Sequence, residues 1–334
     1  MSAPPIRWLR PDDPGARAEL DPWCSGVGPP LVHRPAPGGA ASPSRDEVAI
    51  VSWNSGVGAG DLDRLVDDVR SGHLTGRRVP DFVLLLQEVY RSLHASPAPL
   101  PGPVVTADRI GRPAPARARE EIATAARRHG LHLFYVPSMG NGRPDDPGPA
   151  EDRGNAILST LPLEGLQAIE LPLQAQRRVA VSAVVRGDGS DGAPWSVRVV
   201  SVHLDHRARF GRILWSFGEG RARHAELVTG AMDGQGPVVV GGDLNTWFGG
   251  ARESAVEIMR AHFPLPEDPP EPGTMHTPLF FDPVVDHLFF RVPPEWRPGY
   301  RVLESGYGSD HRPLFGWIRP GVRSAEQEEE DDLS

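Results

Sequence analysis

The chain contains no lysine: all 35 of its basic residues are arginine. The glycine-rich stretch Ser55–Gly60 (SGVGAG) accordingly lacks the lysine-Ser/Thr ending of a phosphate-binding loop and reads as a flexible turn. Cysteine is nearly absent. Cys24 stands alone, which excludes an intramolecular disulfide and a cysteine-rich zinc site. Its Pro/Gly-rich surroundings supply no evident base to make it a nucleophile. No run of 18 apolar residues occurs and no apolar leader opens the chain, so the expectation is a soluble, cytoplasmic protein without a transmembrane segment. No repeat of solenoid length is present. Net charge is −9, but the segment Ala325–Ser334 holds six acids and no base, which leaves −3 on the rest. Residues 320–334 therefore read as an acidic, solvated tail, and the overall charge says little about partners.

What is present is a chain of 334 residues with 39% apolar composition, enough for one large α/β domain or two ordinary ones. Residues 1–46 are rich in proline and glycine. They are expected to form an extended arm without a core of its own, anchored by Trp8, Trp23 and Leu31. Over 47–319, runs of β-branched and apolar residues predict strands at 48–53, 81–88, 131–136, 156–160, 178–186, 195–204, 284–290 and 312–318. Helical spacing begins at Asp61, where Leu62, Leu65, Val66 and Val69 make one stripe, and recurs at 116–129, 220–232 and 251–262. Segments 95–115, 137–149 and 264–278 read as loops, and Phe210–Phe217 as an apolar loop. This is α/β, with more strands than a simple doubly wound sheet. Two packed mixed β-sheets flanked by helices is the expected architecture.

The chemistry concentrates where strands end. Val238–Asn245 (VVVGGDLN) is a buried strand stopping at two glycines and delivering Asp243 and Asn245, which at i and i+2 of extended chain point the same way. An Asx-turn is the alternative use of those two residues. Asn54, Glu88, His203 and the pair Asp310-His311 also sit at strand termini. Asp286 lies inside a strand, where a buried carboxylate needs a partner, and a histidine is the natural one. Oxygen donors without a soft ligand favour Mg²⁺ or Mn²⁺ over zinc. Such a cation polarises a phosphoryl oxygen, so the set points to phosphoester hydrolysis.

Seven segments occur in order: SWN (Ser52–Asn54), QE (Gln87-Glu88), RGNAILS (Arg153–Ser159), SVHL (Ser201–Leu204), GDLN (Gly242–Asn245), VDHLF (Val285–Phe289) and SDH (Ser309–His311). On these the chain resembles the endonuclease/exonuclease/phosphatase superfamily, which includes deoxyribonucleases, exonuclease III-like repair enzymes, inositol polyphosphate 5-phosphatases and neutral sphingomyelinases. The resemblance implies a four-layered α/β sandwich with its site at one edge of the two sheets. It implies Glu88 as principal metal ligand, with Asn54 nearby and Asp310 as a further carboxylate on the metal side. Asp243 would orient or deprotonate the attacking water, and Asn245 would hold the water or the phosphate. His311 paired with Asp286 would serve as acid/base or cationic donor, and His203, with Asn155, would contact phosphate.

Gly56 stands where many repair nucleases carry an aspartate, a departure from the apurinic-site endonucleases. His287 points to the opposite face of its strand from Asp286 and is left out. Asp205 and His206 lie just past the motif and read as surface residues or as supports behind the site, and Arg153 either clamps phosphate or is solvated. The substrate stays open. Arg207, Arg209, Arg212, Arg221 and Arg223 would suit nucleic acid, whereas Phe210, Leu214, Trp215 and Phe217 in the same segment would suit a lipid headgroup. A small phosphate compound is the third class, and a monomer is expected. The reading from another class is a catalytically silent binding module, against which every expected polar position is filled.

Overall fold

The computed structural model describes residues 5–36, 47–93, 119–141, 150–189, 192–247 (apart from 207, 211, 212, 216 and 217), 252–277 (apart from 267 and 269) and 282–320. The N-terminal arm holds strand β1 (Arg7–Leu9), helix α1 (Pro14–Ser25) and strand β2 (Leu31–His33). The body then runs β3 (Val48–Asn54), α2 (Leu62–Ser71), β4 (Phe82–Ser92), α3 (Ile122–His129), β5 (His132–Asn141) and β6 (Glu151–Ser159). It continues with β7 (Glu164–Glu170), β8 (Val179–Asp188), β9 (Pro194–His203) and the hairpin β10 (Ala208–Phe210) and β11 (Ile213–Trp215). The last third is α4 (Glu219–Ala231), β12 (Val238–Asp243), α5 (Ser254–His262), β13 (Asp286–Arg291), β14 (Gly299–Val302) and β15 (Leu314–Ile318).

These strands make a seven-stranded sheet, β14-β15-β3-β4-β6-β5-β2, and a six-stranded sheet, β1-β7-β8-β9-β12-β13. Strand alternation sorts their side chains into three cores. Val48 and Ile50 of β3, Val83 and Leu85 of β4, Val199 of β9 and Val239 of β12 meet between the sheets. The odd partners Val51, Trp53 and Leu84 face α2 and α3, while Val200, Val238 and Val240 face α4 and α5. Helices, sheet, sheet, helices: the four layers follow from a two-residue period on strands buried on both faces.

Local signals explain the helix that leads away from β3. Asp61 caps α2 by accepting from the backbone N–H of Arg64 at 2.9 Å, and Gly72 ends it at φ 82°. The arm has more structure than its composition suggested. Its first strand adds in parallel to β7 at one edge of the six-stranded sheet, and its second adds antiparallel to β5 at one edge of the seven-stranded sheet. It clasps both sheets, with Leu20 and Trp23 buried beneath α1. Backbone pairing with an existing edge supplies order that the arm's own side chains do not. Trp8, expected as an anchor, is 38% exposed.

β7 and β14 are strands without a counterpart in the sequence reading, and Phe210–Phe217 contains the β10–β11 hairpin where a loop was expected. Among the described residues no helix is long and apolar enough to cross a membrane. The acidic tail from residue 321 and the whole of the 95–115 segment lie outside the described residues.

Candidate active site

Parallel strands β3 and β4 in one sheet, and β9 and β12 in the other, all end at the same edge of the sandwich. Two glycines permit close approaches here, Gly241 to β3 of the other sheet and Gly242 to its neighbour β9 in the same sheet. A Cβ on Gly241 would meet the Ser52 Cβ at 2.8 Å, and one on Gly242 would fall 1.9 Å from the carbonyl oxygen of Val202. With no side chains there, β3 and β12 approach until Asn54 Nδ2 donates to Asp243 Oδ2 at 3.0 Å. The other carboxylate oxygen of Asp243 accepts from the backbone N–H of Asn245 at 2.8 Å. Asn245 has φ 56°, a left-handed conformation that asparagine tolerates, and its Nδ2 donates to the carbonyl oxygen of Leu204 at 2.9 Å. One amide hydrogen of Asn245 is left for another acceptor.

Two imidazoles converge on Asp243. His203 Nε2 lies 3.4 Å, and His311 Nε2 3.8 Å, from Oδ2. Asp286, directly opposite Asp243 across the β12–β13 ladder, accepts from His311 Nδ1 at 2.8 Å. All four side chains are buried. Burial alone would lower the His311 pKa, but the Asp286 carboxylate outweighs it and pushes the group up to about 10. His203 is the reverse: burial and the neighbouring Arg178 guanidinium hold it well below the ordinary range. Burial raises Asp243 to about 7, with the nearby Asp286 charge adding to it and His311 pulling back. Around one carboxylate stand two imidazoles whose neighbours push them in opposite directions, one toward the cation and one toward the neutral ring.

The sequence reading placed Glu88 and Asp310 on the metal side with Asn54. β4 does not stop at Glu88 as expected. It passes through a bulge between Leu86 and Val89 and runs on to Ser92, with Glu88 at φ 51°. A left-handed glutamate costs on the order of 1–3 kcal/mol and persists where the surroundings impose it, often to re-aim a side chain. No hydrogen bond or ion pair engages the Glu88 carboxylate among the described residues. Asp310 is exposed, and among the described residues its carboxylate accepts from the Ser309 hydroxyl at 3.4 Å. Ser309 also donates to the carbonyl oxygen of Asn54 at 2.8 Å, which ties the SDH segment to the end of β3. Gly56, at φ 59°, lies where an added Cβ would be 3.8 Å from Asp310 Oδ1. Asn54 Oδ1 accepts a single hydrogen bond, from Gly56 N–H at 3.0 Å. Two carboxylates with no Arg salt bridge among the described residues, and a carboxamide oxygen with a spare lone pair, suit a hard divalent ion.

Asp243, Asp286 and His311 are a second group that could hold a metal ion, with ligand atoms within 4.8 Å of one another.

Some expected contacts do not reach the site. Asn155 donates both amide hydrogens to backbone carbonyls, of Val179 at 3.1 Å and Ser201 at 3.3 Å. It bridges the two sheets and has no hydrogen left for a phosphate, a correction to the expected phosphate contact. Arg153 is buried, with Nη2 donating to Met139 Sδ at 3.3 Å, and is not solvated. Arg221 is buried against Glu253 and Arg223 donates to Gln174 at 3.1 Å, so two of the five candidate nucleic-acid arginines are engaged internally. The other three, and the side chains of Phe210, Leu214, Trp215 and Phe217, lie outside the described residues. His287 stacks on Phe289 at 5.5 Å and bonds Thr246, away from Asp243 as expected.

Four supporting residues escaped the sequence. Arg178 donates to Nδ1 of His203 at 3.1 Å. Thr274 Oγ1 accepts from the backbone N–H of Val285 and of Asp286, at 3.0 and 2.9 Å, and so holds the start of β13. Trp53 donates to the carbonyl oxygen of His311 at 3.1 Å, and Trp247 to Oδ1 of Asn245 at 3.3 Å. Trp53 lies inside the SWN segment and Trp247 just past GDLN, whereas Arg178 and Thr274 carry no sequence signal. Asp205, expected at the surface or behind the site, is fully buried and accepts from the N–H groups of Ala175 and Gln176.

The model of the Endonuclease/Exonuclease/phosphatase family matches residues 51–311. The chain belongs to that family, whose members are generally phosphoester hydrolases that use divalent metals. Among solved structures it is similar to an endonuclease/exonuclease/phosphatase from Beutenbergia cavernae DSM 12333, with 18% identity and a TM-score of 0.51 over 83% of this chain and 72% of that one. It is also similar to an endonuclease/exonuclease/phosphatase family protein from Leptotrichia buccalis C-1013-b, with 13% identity and a TM-score of 0.50 over 81% and 99%. At such identities the likeness establishes the fold. No curated protein sequence matches the chain.

Proposed function

We propose that the protein is a Mg²⁺- or Mn²⁺-dependent phosphoester hydrolase whose reaction takes place at Asp243 and the two imidazoles beside it. The observation that carries this reading is the pair of buried histidines with Nε2 atoms 3.4 and 3.8 Å from one carboxylate oxygen, one backed at Nδ1 by a guanidinium and the other by a carboxylate. Asp243, with a pKa raised to about 7, is suited to take a proton from an attacking water near neutral pH. Asn54 and the Asn245 backbone N–H fix its two oxygens. His311, kept cationic by Asp286, offers N–H and charge to a phosphoryl oxygen as negative charge grows there, and His203 offers a neutral N–H from the other side. Glu88, Asn54 and Asp310 are the residues that would hold the cation, which when bound supplies Lewis-acid polarisation of the phosphoryl group.

The test is hydrolysis by the purified chain of a panel holding plasmid and single-stranded DNA, RNA, sphingomyelin, inositol phosphates and bis-p-nitrophenyl phosphate. Each is offered with Mg²⁺, Mn²⁺ or EDTA. Turnover of one class that needs the metal and disappears in Glu88→Gln is the expected result. A metal-loaded protein that hydrolyses nothing in the panel would sink the reading and leave a silent binding module.

A further inference from the structure

We propose that Arg178 is the positioning residue for His203: by occupying Nδ1 it commits the ring hydrogen to Nε2, on the side facing Asp243. The role in turnover rests on the hydrolase reading above, but the tautomer claim stands apart from it. A guanidinium has five N–H donors and no acceptor. With Arg178 Nη1 3.1 Å from His203 Nδ1, that nitrogen must present its lone pair. The imidazole is then the neutral ring carrying its hydrogen on Nε2, and Nε2 is the atom 3.4 Å from Asp243 Oδ2.

Arg178 differs from three of the other buried arginines of this chain. Arg91 pairs with Asp152, Arg177 with Glu170 and Arg221 with Glu253. Arg178 is only 5% exposed, yet no carboxylate pairs with it among the described residues, and its Nε–H has no partner. A buried guanidinium without an acid is costly, so packing alone does not account for it. Its geometry is nevertheless fixed. Nη2 donates to Gln176 Oε1 at 2.7 Å, and the backbone N–H of Gln176 donates to the buried carboxylate of Asp205 at 2.8 Å. The bracket therefore starts at Asp205, two residues past His203, and returns to His203 through Arg178. An imidazole held at Nδ1 by a donor cannot turn over or take a second proton there. Its Nε2–H stays aimed at the place where Asn54 and His311 also converge. The positive charge behind it, unmatched by an acid, favours an anion at that corner.

The experiment is ¹⁵N spectroscopy of the histidine rings in the full chain at neutral pH, with the His203 signals assigned by their loss in His203→Gln. The wild type is expected to show one tautomer, with hydrogen on Nε2 and none on Nδ1. In Arg178→Met the two nitrogens should exchange between tautomers and their shifts draw together, while Arg178→Lys restores the wild-type pattern. On whichever substrate the panel yields, kcat of Arg178→Met should fall by up to about 10²-fold with KM little changed, and Arg178→Lys should recover most of it. Hydrogen on Nδ1 in the wild type overturns the proposal, and so does a His203 spectrum unaltered in Arg178→Met. If that variant does not fold, the wild-type tautomer and the lysine variant decide. An enzyme inactive on every substrate would remove the hydrolase reading while leaving the ring spectra to judge Arg178.

Discussion

The two histidines of the site are built by opposite means. His311 has a carboxylate at Nδ1, and His203 has a guanidinium there. Both are buried and both point Nε2 at the same oxygen of Asp243, so burial cannot be what separates them. The partner on the far nitrogen does. An acid on Nδ1 stabilises the imidazolium, and a permanent cation on Nδ1 forbids it. One active-site edge thereby acquires a charged donor and an uncharged donor from the same residue type. The difference also reaches into the fold. The acid partner comes from a strand of the same sheet as Asp243, paired directly opposite it, whereas the guanidinium enters one residue before β8 on a bracket anchored by Asp205.

The most damaging way to break the comparison is to remove the cationic member. His311→Gln should lower kcat by about 10²–10⁴-fold, the usual loss for a positioned acid–base group. Near-full activity in steady-state assays of that variant would place the chemistry elsewhere. A milder change makes the two rings alike. Asp286→Asn keeps the shape and deletes the charge that pushes His311 up to about 10. With desolvation then unopposed by Asp286, the His311 pKa should fall clearly below about 10, and titration of the ring by NMR would read this directly. The sign for stability follows. A folded-state pKa above the unfolded value of about 6.5 stabilises fully below 6.5, progressively less between 6.5 and about 10, and not at all above that. The urea midpoint of the wild type should therefore lose its advantage over Asp286→Asn as pH rises across that window. An advantage that grows with pH would mean that His311 is not held as a cation.

The acid side of the comparison was legible in the sequence and the basic side was not. An aspartate within the apolar run VVDHLFF advertises a buried charge, and buried charge asks for a partner, for which a histidine is the natural candidate; that the histidine is His311 came from the resemblance of VDHLF and SDH to the family. Asp243, Asn245, Asn54 and His203 stood at strand ends, where a two-residue period makes direction readable. Arg178 gave no such signal, because arginine is the only basic residue the chain uses and QRRV reads as the start of a strand. The bulge that puts Glu88 at φ 51° is likewise invisible in DFVLLLQE, since it depends on the register against β6. Nor could the arm's pairing with β7 and β5 be seen. An edge strand borrows its order from backbone hydrogen bonds that no side-chain pattern records.

The smallest effect should come from behind Asp286, where the acid side has its own bracket. Thr274 is fully buried, and its hydroxyl oxygen accepts from two successive N–H groups, those of Val285 and Asp286. Thr274→Val keeps the volume and leaves both N–H groups without an acceptor in a place water does not reach. The expected cost is about 1–3 kcal/mol of unfolding free energy by urea titration. Strand β13 is also held by six ladder pairs to β12, so Asp286 should stay opposite Asp243 and the His311 pKa should remain high. A variant that loses stability but keeps a cationic His311 fits an acid partner fixed by the sheet. If instead the His311 pKa drops together with stability, the acid partner depends on its threonine bracket as the proposal makes His203 depend on Arg178, and the two corners of the site would share one design.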